Sequence, residues 1–146
     1  MWNLVSREMA AVNGKIFTLD IQTRQRMQFL DITSEVARVV SQSGVKEGTA
    51  RIFTLHTTAG LTINENADPN VVEDILMELD KIVPLNDGYR HMEGNSAAHI
   101  KSSLFGVSLS VFITGGKIIL GTWQSIYFCE FDGPRQRKVL VKVTED

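Results

Sequence analysis

Apolar and polar positions alternate over residues 15–21, with Phe17, Leu19 and Ile21 on one side and Thr18 and Asp20 on the other. A period of two is that of a half-buried strand. Residues 25–30 read as its hairpin partner across a polar turn at Thr23-Arg24. The period then lengthens. Val36, Val39 and Val40 share one face of a helix that Asp31 or Thr33 can cap and Gly44 stops. Residues 51–55 form a further strand that ends where His56 begins.

A second helix is signalled at both ends. Asp68 caps it, Pro69 suits its first position, Glu73 and Asp74 lie early enough to favour the dipole, and Pro84 stands past its end. Its apolar stripe is Val72, Ile75, Leu76, Leu79 and Val83. Residues 85–95 are polar and predict a loop, and residues 96–104 a short helix closed by Gly106. Val107, Leu109, Val111 and Ile113 then alternate with Ser108, Ser110 and Phe112, and Thr114-Gly-Gly-Lys117 predicts a hairpin turn into residues 118–120. Two more strands are expected near residues 125–131 and 138–143. The order ββαβ(β)α(α)ββββ predicts an α+β fold: a mostly antiparallel or mixed sheet with two to three helices, in a single compact domain over residues 1–146.

Composition narrows the function classes. A net charge of -2 leaves no broad positive field for nucleic acid. The local basic run Arg135-Gln-Arg-Lys138 reads as a solvated turn. No apolar stretch approaches the length of a membrane span. Residues 1–8 lack a charged segment followed by an apolar one, so no leader is expected and a cytoplasmic location follows as the default. The single cysteine, Cys129, lies in the apolar run Ile126-Tyr-Phe-Cys, where a buried, inert thiol is expected.

The candidate chemistry lies with the histidines. All three occupy polar, Gly-punctuated stretches: His56 opens His-Thr-Thr-Ala-Gly, and His91 and His99 bracket a polar segment. Imidazole suits proton transfer near neutrality and transition-metal binding. The spacing of His91 and His99 matches no zinc motif and taken alone fits a loop residue and a hydrogen-bonded helical one. Their company raises the case. Glu93, Asn95, Lys101 and Glu130 lie near them in sequence or at strand ends, and the segment after His56 adds Asn64 and Glu65, whereas Asp68 is accounted for as a cap. Gln124, beside Trp123, interrupts a strand, and Arg135 follows Gly-Pro where it can grip an anion. Such a set builds a metal or acid–base site.

These motifs resemble those of the YjbQ-like family of small bacterial and archaeal proteins. The first is His56-Thr-Thr-Ala-Gly-Leu-Thr-Ile-Asn-Glu-Asn-Ala-Asp68. The second is Tyr89-Arg-His91 with Glu93-Gly-Asn and Ala98-His-Ile-Lys101. The third is Gly121-Thr-Trp-Gln-Ser-Ile-Tyr127 with Glu130, Phe131 and Asp132-Gly-Pro-Arg135. The resemblance implies a compact α+β fold in a homotrimer, a polar pocket at or near a subunit interface, and a weak, secondary thiamine-phosphate synthase activity on phosphorylated heterocycles. It also implies a metal site: His56, His91 and His99 holding a divalent ion, zinc first and magnesium for a diphosphate substrate. Glu65 or Glu130 would then act as general base or orienter, with Gln124 and Asn64 donating to substrate. Lys101 or Arg135 would hold a phosphate, and Asn95 and Trp123 complete the substrate-binding set. Two other readings stand beside this enzyme: a trimeric metabolite- or anion-binding protein without turnover, and a polar network that only stabilises trimer contacts.

Overall fold

The computed structural model of the chain describes residues 5–11 and 14–146, with side chains from residue 15 onward. The reading of residues 1–8 as no leader therefore falls in part outside the described residues. Nine strands and three helices are described, in the order β1 (Val5–Ala11), β2 (Gly14–Gln22), β3 (Gln28–Asp31), α1 (Thr33–Ser43), β4 (Glu47–Thr54), β5 (Ala59–Glu65), α2 (Pro69–Ile82), α3 (Ser96–Phe105), β6 (Ser108–Thr114), β7 (Lys117–Ile118), β8 (Gln124–Glu130) and β9 (Gln136–Glu145). They make an α+β fold with two antiparallel sheets, a larger one ordered β1-β2-β9-β4-β6-β7 and a smaller one ordered β3-β8-β5.

Most elements form where the hydrophobic pattern puts them. Asp68 accepts from Asn70 N and Pro69 opens α2, while Gly44 ends α1 at φ +73°, a left-handed conformation that costs a glycine nothing. Glu73 and Asp74 lie beyond the first turn of α2, where the dipole is weaker. At α1 it is Asp31 that assists, its Oδ1 accepting from Thr33 N at 2.9 Å. The Gly115-Gly116 pair, with φ +60° and +77°, makes the β6–β7 hairpin.

One expectation fails. Residues 25–30 are not the hairpin partner of β2. That strand pairs with β1 and β9, and β3 pairs with β8 in the other sheet. The physical reason lies in residues 23–27, which carry the chain from one sheet to the other. Thr23 is fully buried there, its N–H donating to Arg135 O and its hydroxyl to Glu130 Oε1, which a hairpin turn on the surface would not require.

The two sheets enclose the principal core with α1. Leu19, Ile21, Ala50, Ile52, Val139 and Val141 of the larger sheet face Leu30, Leu61, Ile126 and Phe128 of the smaller, and Val36, Val39 and Val40 of α1 join them. A second core fills the other side of the smaller sheet, beneath α2 and α3, with Met27, Leu79, Ala98, Tyr127, Cys129 and Phe131 at its centre. Strand β8 serves both, so Ile126 to Glu130 are all buried. Burial raises the Cys129 thiol pKa well above its ordinary value, which keeps it protonated and inert. No helix among the described residues is long and apolar enough to cross a membrane.

Candidate functional site

Three chain segments bring the histidines to one pocket. In β4 the even positions Ala50, Ile52 and Thr54 point inward, and His56 continues that parity two residues beyond Thr54. Its ring takes over where the β4–β9 ladder ends: Lys138 N donates to His56 Nε2 at 2.9 Å. His99 lies on the half-exposed side of α3, opposite the buried Ala97, Ala98 and Lys101. The turn at Gly94, with φ +76°, folds the preceding loop back so that His91 stands edge-on to His99, ring centroids 5.3 Å apart. His56, His91 and His99 line a pocket of about 380 Å³ with Thr58, Glu93, Asn95, Arg135 and Arg137.

The tautomer of His56 follows from its partner. A backbone N–H can donate only to an unprotonated ring nitrogen, so the neutral ring carries its proton on Nδ1. Burial, then the charge of Arg137, lowers its pKa from the ordinary value, with Arg135 and Lys138 adding to this and Glu130 opposing it. His56 is therefore a neutral imidazole whose free polar atom is an N–H donor.

Arg137 and Glu130 form the wall behind it. Glu130 is fully buried and Arg137 is 4% exposed. Glu130 Oε1 accepts from Arg137 Nε at 2.8 Å and from Thr23 Oγ1 at 2.7 Å, and Oε2 accepts from Arg137 Nη2 and from Asp132 N. Arg137 Nη2 also donates to Thr58 Oγ1 at 2.9 Å. Nη1 has no acceptor among the described residues, and Arg137 lines the pocket. Close backbone approach protects this pair. A Cβ on Gly133 would stand 2.3 Å from Gln25 O and 2.8 Å from Glu130 Cγ.

Asp132 holds the rim. Its Oδ2 accepts from Asn95 Nδ2 at 2.8 Å and from Arg135 Nη2 at 2.9 Å. That bond fixes the orientation of the Asn95 amide and leaves Oδ1 buried without a donor among the described residues. An unmet buried acceptor costs about 1–3 kcal/mol. A ligand bearing a hydroxyl or N–H at that point recovers it.

Most of the other residues singled out from sequence lie elsewhere. Asn64, Glu65, Trp123 and Gln124 sit together at the far end of the smaller sheet, where Glu65 pairs with Gln124 across β5 and β8. The six-residue run from the Ala59–Glu130 pair puts them roughly 20 Å from the pocket end. Their side chains have local duties. Asn64 Oδ1 accepts from Glu65 N, Gln124 Oε1 accepts from Gly121 N, and Trp123 is 64% exposed. Residues 59–65 form a regular strand, and the polar ending that looked like a loop is its exposed tip. Glu130 is at the site, but every oxygen is engaged, which makes it a positioning residue rather than a general base. Lys101 points away from the pocket. It is fully buried, and its Nζ donates to Asp80 Oδ1 at 2.7 Å and to Met27 Sδ at 3.2 Å, tying α3 to α2. Burial pushes the Asp80 carboxyl up, but the hydrogen bond and charge of Lys101, followed by Arg26, outweigh it and leave the pKa below its ordinary value.

Arg137 is the residue that the sequence reading missed. Residues 136–138 of that run open β9 rather than a solvated turn, and Arg137 shares the inward parity of Val139 and Val141. Extending that alternation back by one step locates it.

Of the expected ligands, two have the ring separation that a shared divalent ion would need. Two imidazoles on one tetrahedral zinc, at Zn–N of about 2.0–2.1 Å, have centroids about 5.2 Å apart, close to the His91–His99 separation. The third does not fit. His56 Nε2 is already bonded to Lys138 N, its Nδ1 carries the proton, and no group of three or more His, Cys, Asp or Glu among the described residues is placed to hold a metal.

The family model described as "UPF0047 protein YjbQ-like" matches residues 17–146. A UPF0047 protein of Methanocaldococcus jannaschii is 51% identical over 131 residues, which cover 90% of this chain and 95% of that one. UPF0047 protein YugU of Bacillus subtilis is 52% identical over 127 residues, covering 86% and 96%. Among solved structures, an uncharacterized conserved protein of the same family from Clostridium acetobutylicum superimposes with a TM-score of 0.86 at 56% identity, covering 87% of this chain and 98% of that one. A YbjQ-like protein of unknown function from Sulfolobus solfataricus gives 0.86 at 30% identity, covering 90% and 96%.

Proposed function

The chain belongs to the UPF0047 protein YjbQ-like family, and we propose that it is an enzyme acting on a small phosphorylated molecule by histidine acid–base chemistry. The observation that carries this reading is the convergence of three imidazoles and two guanidiniums, from separate chain segments, on one polar pocket. A network that only stabilised the fold would have its polar atoms paired with one another. Here His56 Nδ1–H, Arg137 Nη1 and Asn95 Oδ1 have no partner among the described residues and are left for a ligand.

The roles divide by position. His56 Nδ1–H, Arg137 and Arg135 bind phosphoryl oxygens, donors being fixed in place before the ligand arrives. Asn95 Oδ1 accepts from a hydroxyl or N–H of the same ligand. His91 and His99, with Glu93 at the mouth, supply proton donors and acceptors for the group that attacks or departs. Thiamine-phosphate synthesis, which the family resemblance implies, belongs to this class of reaction and is the first activity to assay.

Self-association is part of the proposal. Phe53 and Phe112 lie exposed on the outer face of the larger sheet, and Leu55, exposed just past the end of β4, also lines the pocket. A trimer burying that face would abut the site, and light scattering that returned the mass of one chain would remove this part of the reading.

The test of the site is His56. Nitrogen-15 spectra of the imidazoles are expected to show His56 as the neutral Nδ1–H form at neutral pH. Its pKa is lowered on folding, so its contribution to stability is present above the unfolded value near 6.5 and is lost as pH falls below it. By calorimetry, inorganic phosphate should bind the wild type, and His56→Ala should weaken binding about tenfold or more. A His56 ring charged at pH 7, or phosphate affinity that His56→Ala leaves unchanged, would overturn the assignment.

A further inference from the structure

The polar pocket has neighbours on both sides. On one side a depression of about 390 Å³ is walled by Tyr89, Arg90, Ser96 and Ile100. On the other, one of about 580 Å³ is walled by Ser102, Ser103, Gly106 and Val107. The three share side chains. His91 stands between the first and the polar pocket, His56 and Thr57 stand between the polar pocket and the second, and His99 lines all three. Both flanks present mostly apolar surface, whereas the middle is polar.

From this arrangement we infer that the site takes a ligand with a central anionic group carrying two organic substituents, such as a phosphodiester, with one substituent in each flank. This rests on the function proposed above and narrows its substrate class. A monoester would leave one flank wet. The flanks differ in character, which gives each substituent its own place. Tyr89 turns its hydroxyl to Pro84 O at 2.7 Å, so its ring is held in that wall, where an aromatic substituent can pack. The opposite flank has small residues at the end of α3, with Ser103 Oγ already bonded to His99 O, and accepts bulk rather than hydrogen bonds. The middle position puts the anion between His91 and His99 on one hand and His56 and Arg137 on the other. His91 and His99 are therefore placed to protonate a departing oxygen from one side of the anion, while His56 and Arg137 hold the anion by hydrogen bonds from the other.

Calorimetry with three probes tests this: inorganic phosphate, 4-nitrophenyl phosphate and bis(4-nitrophenyl) phosphate. The diester has the lower charge, so any gain in its affinity comes from the flanks. It is expected to bind about tenfold tighter than the monoester, a modest return for one more seated ring. Ile100→Trp and Ser103→Trp, each filling one flank from an exposed position, should each bring the diester back to about the monoester's affinity, with the circular dichroism of the wild type retained. Phosphate binding with equal affinity for both esters, or diester affinity unmoved by either variant, overturns this inference alone. Failure of phosphate itself to bind removes the proposed function and this inference with it.

Discussion

Glu130→Ala is expected to destabilise the protein by about 3–5 kcal/mol, the usual cost of leaving one member of a buried ion pair without its partner. Arg137 would stay inside with nothing to balance its charge, since its other partners, Thr58 Oγ1 and O, are neutral. Thr23 Oγ1 and Asp132 N would lose their acceptor as well. For a chain of this length the melting temperature should fall by roughly 10 °C. Urea denaturation separates the effects. The double variant Glu130→Met/Arg137→Met should regain most of the lost stability, because well-packed apolar side chains can replace a buried pair. It should not regain phosphate binding, because Arg137 Nη1 is gone. A single variant with the wild-type midpoint would show that the pair does not support the fold.

His99→Ala is expected to lower kcat about 10²–10⁴-fold in whichever phosphoryl or group-transfer reaction the protein proves to catalyse, the usual contribution of a positioned acid or base. The fold should tolerate the change. The ring is half-exposed on α3, and the helix is anchored by its opposite face through Ala97, Ala98, Lys101 and Ser102. His99 lines all three depressions, so the variant should lose catalysis with any ligand orientation. Retention of wild-type kcat at saturating substrate would leave ligand binding without turnover as the surviving reading.

The sequence was most legible where local chemistry decides the outcome. Asp68-Pro69 and Gly44 mark helix ends because capping involves neighbouring residues only. The alternation in residues 107–113 marks β6 for the same reason. Strand partnership is a different matter. Residues 25–30 are close enough to β2 to pair with it, and nothing nearby in sequence reveals that Thr23 is fixed instead by Arg135 and Glu130, more than a hundred residues away.

The same division runs through the site. His56, His91 and His99 stand out as polar side chains in polar stretches, and the fold does gather them. Glu65 and Gln124 stand out just as clearly, yet pair with each other at the wrong end of two strands, because residue type carries no information on direction along a sheet. Lys101 is two positions from His99, and on a helix that step turns a side chain to another face. Arg137 was hidden by its basic neighbours and by a turn signal just before it.

Strand β8 belongs to both cores and ends at Glu130. The strand that packs both cores therefore also carries the pocket wall, and occupancy of the pocket is linked to unfolding of the whole. A ligand present at a hundred times its dissociation constant adds about 2.7 kcal/mol to the folded state. The natural substrate, whatever its chemistry, therefore announces itself as a rise of several degrees in the melting temperature, and a metabolite library can be searched by heat alone before any reaction is known.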